Sequence, residues 1–261
     1  MRTKLIDAAL SDCGLSRQVN EDRLLIERKM GLYAVIDGMG GSADGELAAR
    51  LVVEHLPLIM RKHLRGMYSL ASPRAEQRIR AALGELSSQI HYEGLARSGA
   101  LGLGATIVLA LAWETEVLIA HLGDSRAYLY RDGELEQLTK DHSPVQALID
   151  RGELNPRDAI HHPSYGRLTR FLGMPGDAVA DVRHLPLLPN DQLLLCSDGL
   201  TEMLSSAELT GIFALGLPPR ETCQLLVDAA KLAGGADNIT VLIVALINSE
   251  GSFHDDKRPV E

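Results

Sequence analysis

The strongest chemical signal in the chain is the placing of four aspartates. Asp37, Asp124 and Asp198 each follow an apolar run that reads as a strand, and Asp237 sits in the loop GGADN just before the last such run. A carboxylate at a buried strand end is costly unless it is paired or holds a cation. Several converging there repel one another and call for positive charge between them. Hard divalent cations such as Mg²⁺ or Mn²⁺ take oxygen ligands from carboxylates, carbonyls and water. Glycine follows Asp37 and Asp198 directly, so the backbone can bend close and the Gly38 carbonyl can join the ligands. A single Asp-Gly pair is ordinary turn chemistry, and Asp132-Gly133, between polar strands, is read as that and no more.

A second cluster is GLSRQVNEDR, residues 14–23. The Arg17 guanidinium offers a planar fork that matches a phosphate. Glu21 and Asp22 can add hydrogen bonds to metal-bound waters. Other chemistries lack their marks. The glycine turn GMGG at 38–41 is not followed by the Lys-Ser/Thr of a nucleotide P-loop, and HExxH is absent. Cys13, Cys196 and Cys223 are far apart and form no CxxC pair, which argues against a disulfide scaffold and a cysteine-rich zinc site. Cys196, inside LLLCS, reads as a small core residue rather than a nucleophile.

These groups need rigid elements behind them. Residues 4–11 read as a strand, and residues 24–38 as two short strands around Lys29–Gly31. Leu47, Leu51, Leu56, Ile59 and Met60 fall on one side of a helix over 45–64. Ile79, Leu83, Leu86 and Ile90 mark a second, antiparallel to it. TIVLALA and EVLIAHLG then read as a hairpin of core strands, continued by AYLYRDGELEQLT. Residues 144–178 are irregular, with one helical piece, PVQALIDRG. Strands are expected at 179–185 and 191–197, helices at 206–215 and 219–233, and a last strand in ITVLIVALI. Paired helices and meandering strands are not the rhythm of a doubly wound sheet. They predict an α+β fold of antiparallel sheets packed together with helices outside.

The 261 residues carry 26 Lys and Arg against 35 Asp and Glu, a net charge of −9, and only 4% are aromatic. Non-specific nucleic-acid binding is disfavoured, since both positive charge and stacking platforms are scarce. No apolar run is long enough for a membrane span, and the N-terminus lacks the apolar core of a signal peptide, so the expected compartment is the cytoplasm. Residues 1–247 read as one domain and 248–261 as a polar tail.

Together these motifs resemble the metal-dependent serine/threonine protein phosphatases of the PP2C (PPM) type, over about residues 5–247. The chain shows, in the family's order, Arg17 with Asn20-Glu21-Asp22, VIDGMGG at 35–41, GATIVLAL at 104–111, HLGDSRAYL at 121–129, LTKDHS at 138–143, HHPSYGRLTRFLG at 161–173, LLLCSDGL at 193–200 and ADNITVLIV at 236–244. The compact length and the DGMGG form resemble the bacterial branch. The resemblance implies a four-layer α-β-β-α sandwich, two central antiparallel sheets flanked by helical pairs. It implies hydrolysis of phosphoserine and phosphothreonine monoesters by a metal-activated water, with Mn²⁺ or Mg²⁺, two core ions and a third in bacterial members. It implies that Asp37 bridges two metals with the Gly38 carbonyl on one, that Asp198 and Asp237 hold the other, and that Asp124 with Asp198 forms the third site. Glu21 and Asp22 act through bound waters, Arg17 holds the substrate phosphate, and 145–175 forms a mobile flap.

Met39 stands where eukaryotic members carry a histidine thought to be a general acid, so a metal-bound water and His162 are both candidates for that role. His142 and His161 are read as structural. The implied partners are phosphorylated proteins and a cognate Ser/Thr kinase, in some members one that controls a secretion apparatus, with no nucleic acid or membrane. Two other readings use the same residues. A metal nuclease or phosphodiesterase needs the same cations but fits poorly with the net charge. A phosphoprotein-binding module would keep Arg17 and dispense with the metals.

Overall fold

The computed structural model describes residues 3–40, 42–98 and 103–248. Ten strands form two five-stranded antiparallel sheets. One has the order β1 (Thr3–Asp12), β10 (Ile239–Asn248), β9 (Gln192–Cys196), β6 (Arg126–Arg131), β7 (Glu134–Gln137). The other runs β2 (Arg23–Glu27), β3 (Leu32–Met39), β4 (Gly104–Trp113), β5 (Glu116–Leu122), β8 (Asp181–Pro186). Two long helices, α1 (Ser42–Leu64) and α2 (Pro73–Ser98), cover the second sheet. The helices α5 (Ser206–Phe213) and α6 (Pro219–Leu232) cover the first.

Strand alternation builds these layers. Along β3, Leu32, Ala34 and Ile36 face α1 and α2, while Tyr33 and Val35 face the other sheet. Along β10, Leu242, Val244 and Leu246 face between the sheets, while Val241 and Ile243 face α5 and α6. Both sheets are therefore apolar on both faces, which is why their strands read as continuous rather than alternating runs. Three apolar layers result, and the four-layer α-β-β-α sandwich follows from them.

One expectation needs correcting. The strand pair around Asp132-Gly133 does not continue the β4–β5 hairpin; β6 and β7 belong to the opposite sheet. The chain crosses between sheets at Gly123–Ser125. Gly123 adopts φ +113°, and a Cβ there would lie 2.5 Å from the Thr106 Cβ. Its N–H and carbonyl both pair with His142, whose Nδ1 accepts at 3.2 Å and whose N–H donates at 3.0 Å. A hairpin signal reports local pairing and carries no information about which sheet receives it. A further short helix, α4 (Asp198–Thr201), begins at a residue expected only to end a strand. Between α2 and α5 the irregular stretch also holds α3 (Pro144–Asp150) and a 3₁₀ turn, Pro156–His161. The expected tail lies beyond Asn248, outside the described residues. Among the described residues, no helix is long and apolar enough to cross a membrane.

The crossing predicts that Gly123→Ala costs about 2–3 kcal/mol, because it adds both a positive-φ penalty and a clash with Thr106. Urea denaturation monitored by circular dichroism measures it; a change below about 0.5 kcal/mol would show that the crossing tolerates a side chain.

Candidate active site

Antiparallel pairing gathers the acidic residues at one end of the sandwich. Val241 pairs with Cys196, so the start of β10 lies beside the end of β9, and Asp237 comes next to Asp198. In the other sheet Asp37 pairs with Thr106, whose Oγ1 lies 2.6 Å from Ser125 Oγ in the crossing. That contact draws Asp124 toward Asp37 across the interface between the sheets. Asp37, Asp124, Asp198, Asp237, Glu21 and the Gly38 backbone line one cavity of about 370 Å³, with Arg17 at its edge.

The residues around them fix this gathering. Asn238 joins the 13–21 loop to β10: its Oδ1 accepts from Glu21 N–H at 2.8 Å, and its Nδ2 donates to the Cys13 and Val19 carbonyls at 3.0 Å. Asp237 accepts from Asn238 N–H at 2.7 Å and from Arg17 Nη2 at 2.6 Å. Gly38 and Gly45 pack backbone to backbone; a Cβ on Gly38 would lie 2.1 Å from the Gly45 carbonyl oxygen. A Cβ on Gly45 would lie 2.8 Å from both Glu21 Oε2 and the Gly38 carbonyl oxygen, so glycine at 45 brings α1 onto these two oxygens. Arg126 clamps Asp141 through two bonds of 2.8 and 2.7 Å, holding β6 beside Asp124.

Asp22 does not line the cavity. It lies beneath, 2% exposed, accepting from Ser197 Oγ at 2.7 Å. Its other oxygen, Oδ1, is buried with no partner among the described residues. Burial, with a smaller push from Asp237, holds the Asp22 carboxyl up at about 6. Asp124 is pushed up to about 6 by burial and then by Asp141. Asp37 and Asp198 are raised well above the ordinary carboxylate range, first by burial, then by a neighbouring carboxylate, Asp198 for Asp37 and Asp124 for Asp198. Glu21 is raised too, chiefly by burial. A set of oxygen donors that resists ionising together, with a buried lone pair unmet, fits hard divalent cations.

His162 is not brought to this cavity. It follows the 3₁₀ turn, half-buried, and its Nδ1 accepts from Ser164 N–H at 3.1 Å. The same segment reaches the cavity instead through Gly166 and Leu168. His142 and His121 stack with ring centroids 4.3 Å apart. Since His142 Nδ1 accepts from Gly123, its Nε2 carries the proton and donates to Asp181 at 3.2 Å. His121 Nε2 donates to the Lys140 carbonyl at 2.7 Å, and Asp181 is also held by Arg170 at 2.8 Å. This group can supply His121, His142 and Asp181 to a metal ion, but its hydrogen bonds already brace the crossing. Burial pushes the Cys196 and Cys223 thiols up to about 12, which removes both as nucleophiles.

Sequence reasoning missed Asn238 as a stitch and the Thr106–Ser125 contact. Asn238 had a signal, since it stands beside Asp237; the threonine and serine had none beyond proximity to Asp124.

Comparison with known proteins agrees with this geometry. A family profile described as "Protein phosphatase 2C" matches residues 15–230. The chain is 35% identical over 237 residues to the serine/threonine phosphatase stp of Listeria monocytogenes, covering 90% of this chain and 93% of that one. It superposes on PppA, a regulatory component of the T6SS in Pseudomonas aeruginosa, with a TM-score of 0.79 and 32% identity, covering 93% and 98% of the two chains. It superposes on the catalytic domain of the serine/threonine phosphatase PstP in complex with two manganese ions with a TM-score of 0.76 and 32% identity, covering 94% and 100%.

The raised carboxyls set the pH behaviour of the cation-free fold. A carboxyl raised on folding contributes stability that is fully present below its unfolded pKa and lost as pH rises through its folded one. For Asp22 and Asp124 that loss runs from the ordinary 3.8 to about 6. The increase in melting temperature on adding Mn²⁺ to chelator-treated protein should therefore be larger at about pH 7 than at about pH 5. Scanning fluorimetry at both pH values tests this; an equal increase at both sinks the assignment of these carboxyls to a cation site.

Proposed function

The chain belongs to the protein phosphatase 2C family and is a metal-dependent serine/threonine protein phosphatase, and from that premise we propose how its own residues divide the work. Asp37 and the Gly38 carbonyl, with Asp198 and Asp237, would hold two divalent cations, Mn²⁺ or Mg²⁺, and Asp124 with Asp198 would offer a third position. When bound, such cations lower the pKa of water to supply a nucleophile near neutral pH and offset negative charge on the phosphoryl oxygens.

The remaining chemistry is done by the chain. Glu21, from the cavity wall, and Asp22, from beneath it, orient waters. Ser197 fixes one Asp22 oxygen, and the unpartnered Oδ1 is left to accept from such a water. Arg17 is half exposed and bound to Asp237. With Asp237 engaged by a cation, the Arg17 fork would be free to take two oxygens of a substrate phosphate. Positioning the phosphorus in line with the attacking and leaving oxygens is then the main task left to the protein. The leaving alkoxide takes its proton from water rather than from a side chain, since His162 is not among the residues that line the cavity. The observation that carries this reading is the convergence of Asp37, Asp124, Asp198 and Asp237 on one cavity with Arg17 at its edge.

Residues 1–247 form the phosphatase domain, and the enzyme works in the cytoplasm on phosphorylated proteins. Its proposed regulatory setting is opposition to a cognate Ser/Thr kinase, and the likeness to PppA, a regulatory component of the T6SS, supports a pathway that controls a secretion apparatus.

Phosphate release from a phosphothreonine peptide tests the assignment. Turnover with Mn²⁺ or Mg²⁺ should vanish with excess EDTA, and Asp37→Asn should lower kcat by a hundredfold or more, on the order seen when one charge-stabilising group is lost. Full metal-dependent activity in Asp37→Asn would remove it from the centre of the site. Arg17→Ala should raise KM by about tenfold with a smaller effect on kcat. His162→Ala should lower kcat by less than about tenfold; a drop of about 10²–10⁴, the usual contribution of a general acid, would instead place that histidine at the reacting bond.

A further inference from the structure

Beside the acidic cavity lies a second one of opposite character, of about 600 Å³. The two are continuous and share Met39, Gly40, Gly166 and Leu168 as a common wall. The second runs between the C-terminal half of α2 and the 166–175 segment, over Leu103, Phe171 and Pro175. Among the described residues, no Asp, Glu, Lys or Arg lines it. His91 is its single titratable wall residue, and that ring is engaged, its Nδ1 lying 3.0 Å from the Gly173 carbonyl oxygen.

The apolar side chains here are not spent on the core. Met39, Leu168 and Phe171 are each only partly buried, and none belongs to the three apolar layers of the sandwich. Glycine shapes the floor. A Cβ on Gly104 would lie 3.0 Å from Phe171 Cδ2 and 3.3 Å from Met39 Cε, so its absence lets these two side chains meet above β4. A concave apolar surface opening into a polar reaction centre has the character of a ligand-binding subsite.

We propose that this cavity is a specificity subsite, which takes an apolar side chain (Leu, Ile, Met or Phe) directly flanking the phosphorylated Ser or Thr of a protein substrate. The occupant follows from continuity. Under the phosphatase reading, on which this inference rests, a phosphoryl group seated in the acidic cavity carries its own polypeptide across the shared wall. The residues next to the phosphorylated one then face Phe171 and Leu168. A charged side chain would lose its hydration there with nothing to pair with. A glycine would leave the surface wet. Burying a leucine gains enough to discriminate on the order of tenfold or more in kcat/KM.

Peptides with one phosphothreonine and Leu, Gly, Glu or Lys at each of the two positions on either side measure this, with Mn²⁺ present. Doubly blocked phosphothreonine, which has no flanking residue, is the reference. Wild-type enzyme should favour Leu over Gly by on the order of tenfold at one flanking position and disfavour Glu there. In Phe171→Ala that ratio should fall to within about twofold, while the rate on the Gly peptide relative to the reference stays constant. Pro175→Glu, at the exposed rim, gives a second variant with no core packing at stake, and should turn the preference toward Lys. Equal kcat/KM for all four residues at every position overturns the subsite, as does a Leu preference that survives both substitutions. Absence of turnover on every peptide and on the reference defeats the phosphatase reading itself and the subsite with it, so the two failures are told apart.

Discussion

Mutual repulsion among buried carboxylates is the constraint on which the rest of this structure depends. Asp37 and Asp198 sit at the closed end of an apolar sandwich, with Asp22 beneath and Asp124 beside them. Burial and proximity both oppose their ionisation. Such a group is tolerated when cations replace the missing positive charge, and the protein supplies little of its own: Arg17 at the edge, bound to Asp237, and Arg126, bound to Asp141. Stability is given up at this end, in an arrangement of carboxylates whose repulsion only positive charge can offset.

The sandwich makes that concentration possible. Antiparallel order brings the end of β9 to the start of β10, and the end of β3 to the start of β4, all at one edge. A single sheet would spread its carboxylates along a line. Two sheets face to face close them into a cavity, and the crossing at Gly123–Ser125 carries Asp124 into the gap between. The stacked histidines and Asp181 support this crossing, so residues with metal-binding side chains serve here as structure. Residues 166–171 stand between two cavities of different chemistry, one lined by carboxylates from other elements and one apolar beside α2. Reaction and recognition are thereby separated by the width of Met39 and Leu168.

Much of the fold and site was legible in the chain. The aspartates stood out because apolar runs ended in them repeatedly, and that pattern has a physical cause in the cost of buried charge. The paired helices and the doubly apolar strands were legible because periodicity and burial are written locally. The sheet that receives β6 was not, because hydrogen-bond pairing in a hairpin is the same whichever sheet it joins. Whether His162, one of two candidates for the general acid, lines the cavity was not legible for a related reason: nearness to a motif in sequence does not fix nearness in space, and it is absent from the lining. The α4 turn was hidden because its four residues are too few to show a period.

By itself, then, the sequence determined the composition of the centre: oxygen donors at strand ends, one guanidinium, no usable thiol, and a family of chemistry that needs divalent cations. These follow from side-chain type and order along the chain, which need no coordinates. Tertiary structure alone decided which of those groups share a cavity. It set Asp22 beneath the floor, left His162 out of the lining, made Asn238 the tie between distant segments, and opened an apolar pocket beside the acidic one. Each of these depends on distances between residues far apart in sequence. Those distances come from sheet pairing and from the close glycine contacts at 38, 45, 104 and 123, where the absence of a single carbon fixes how near a neighbouring backbone or side chain can come.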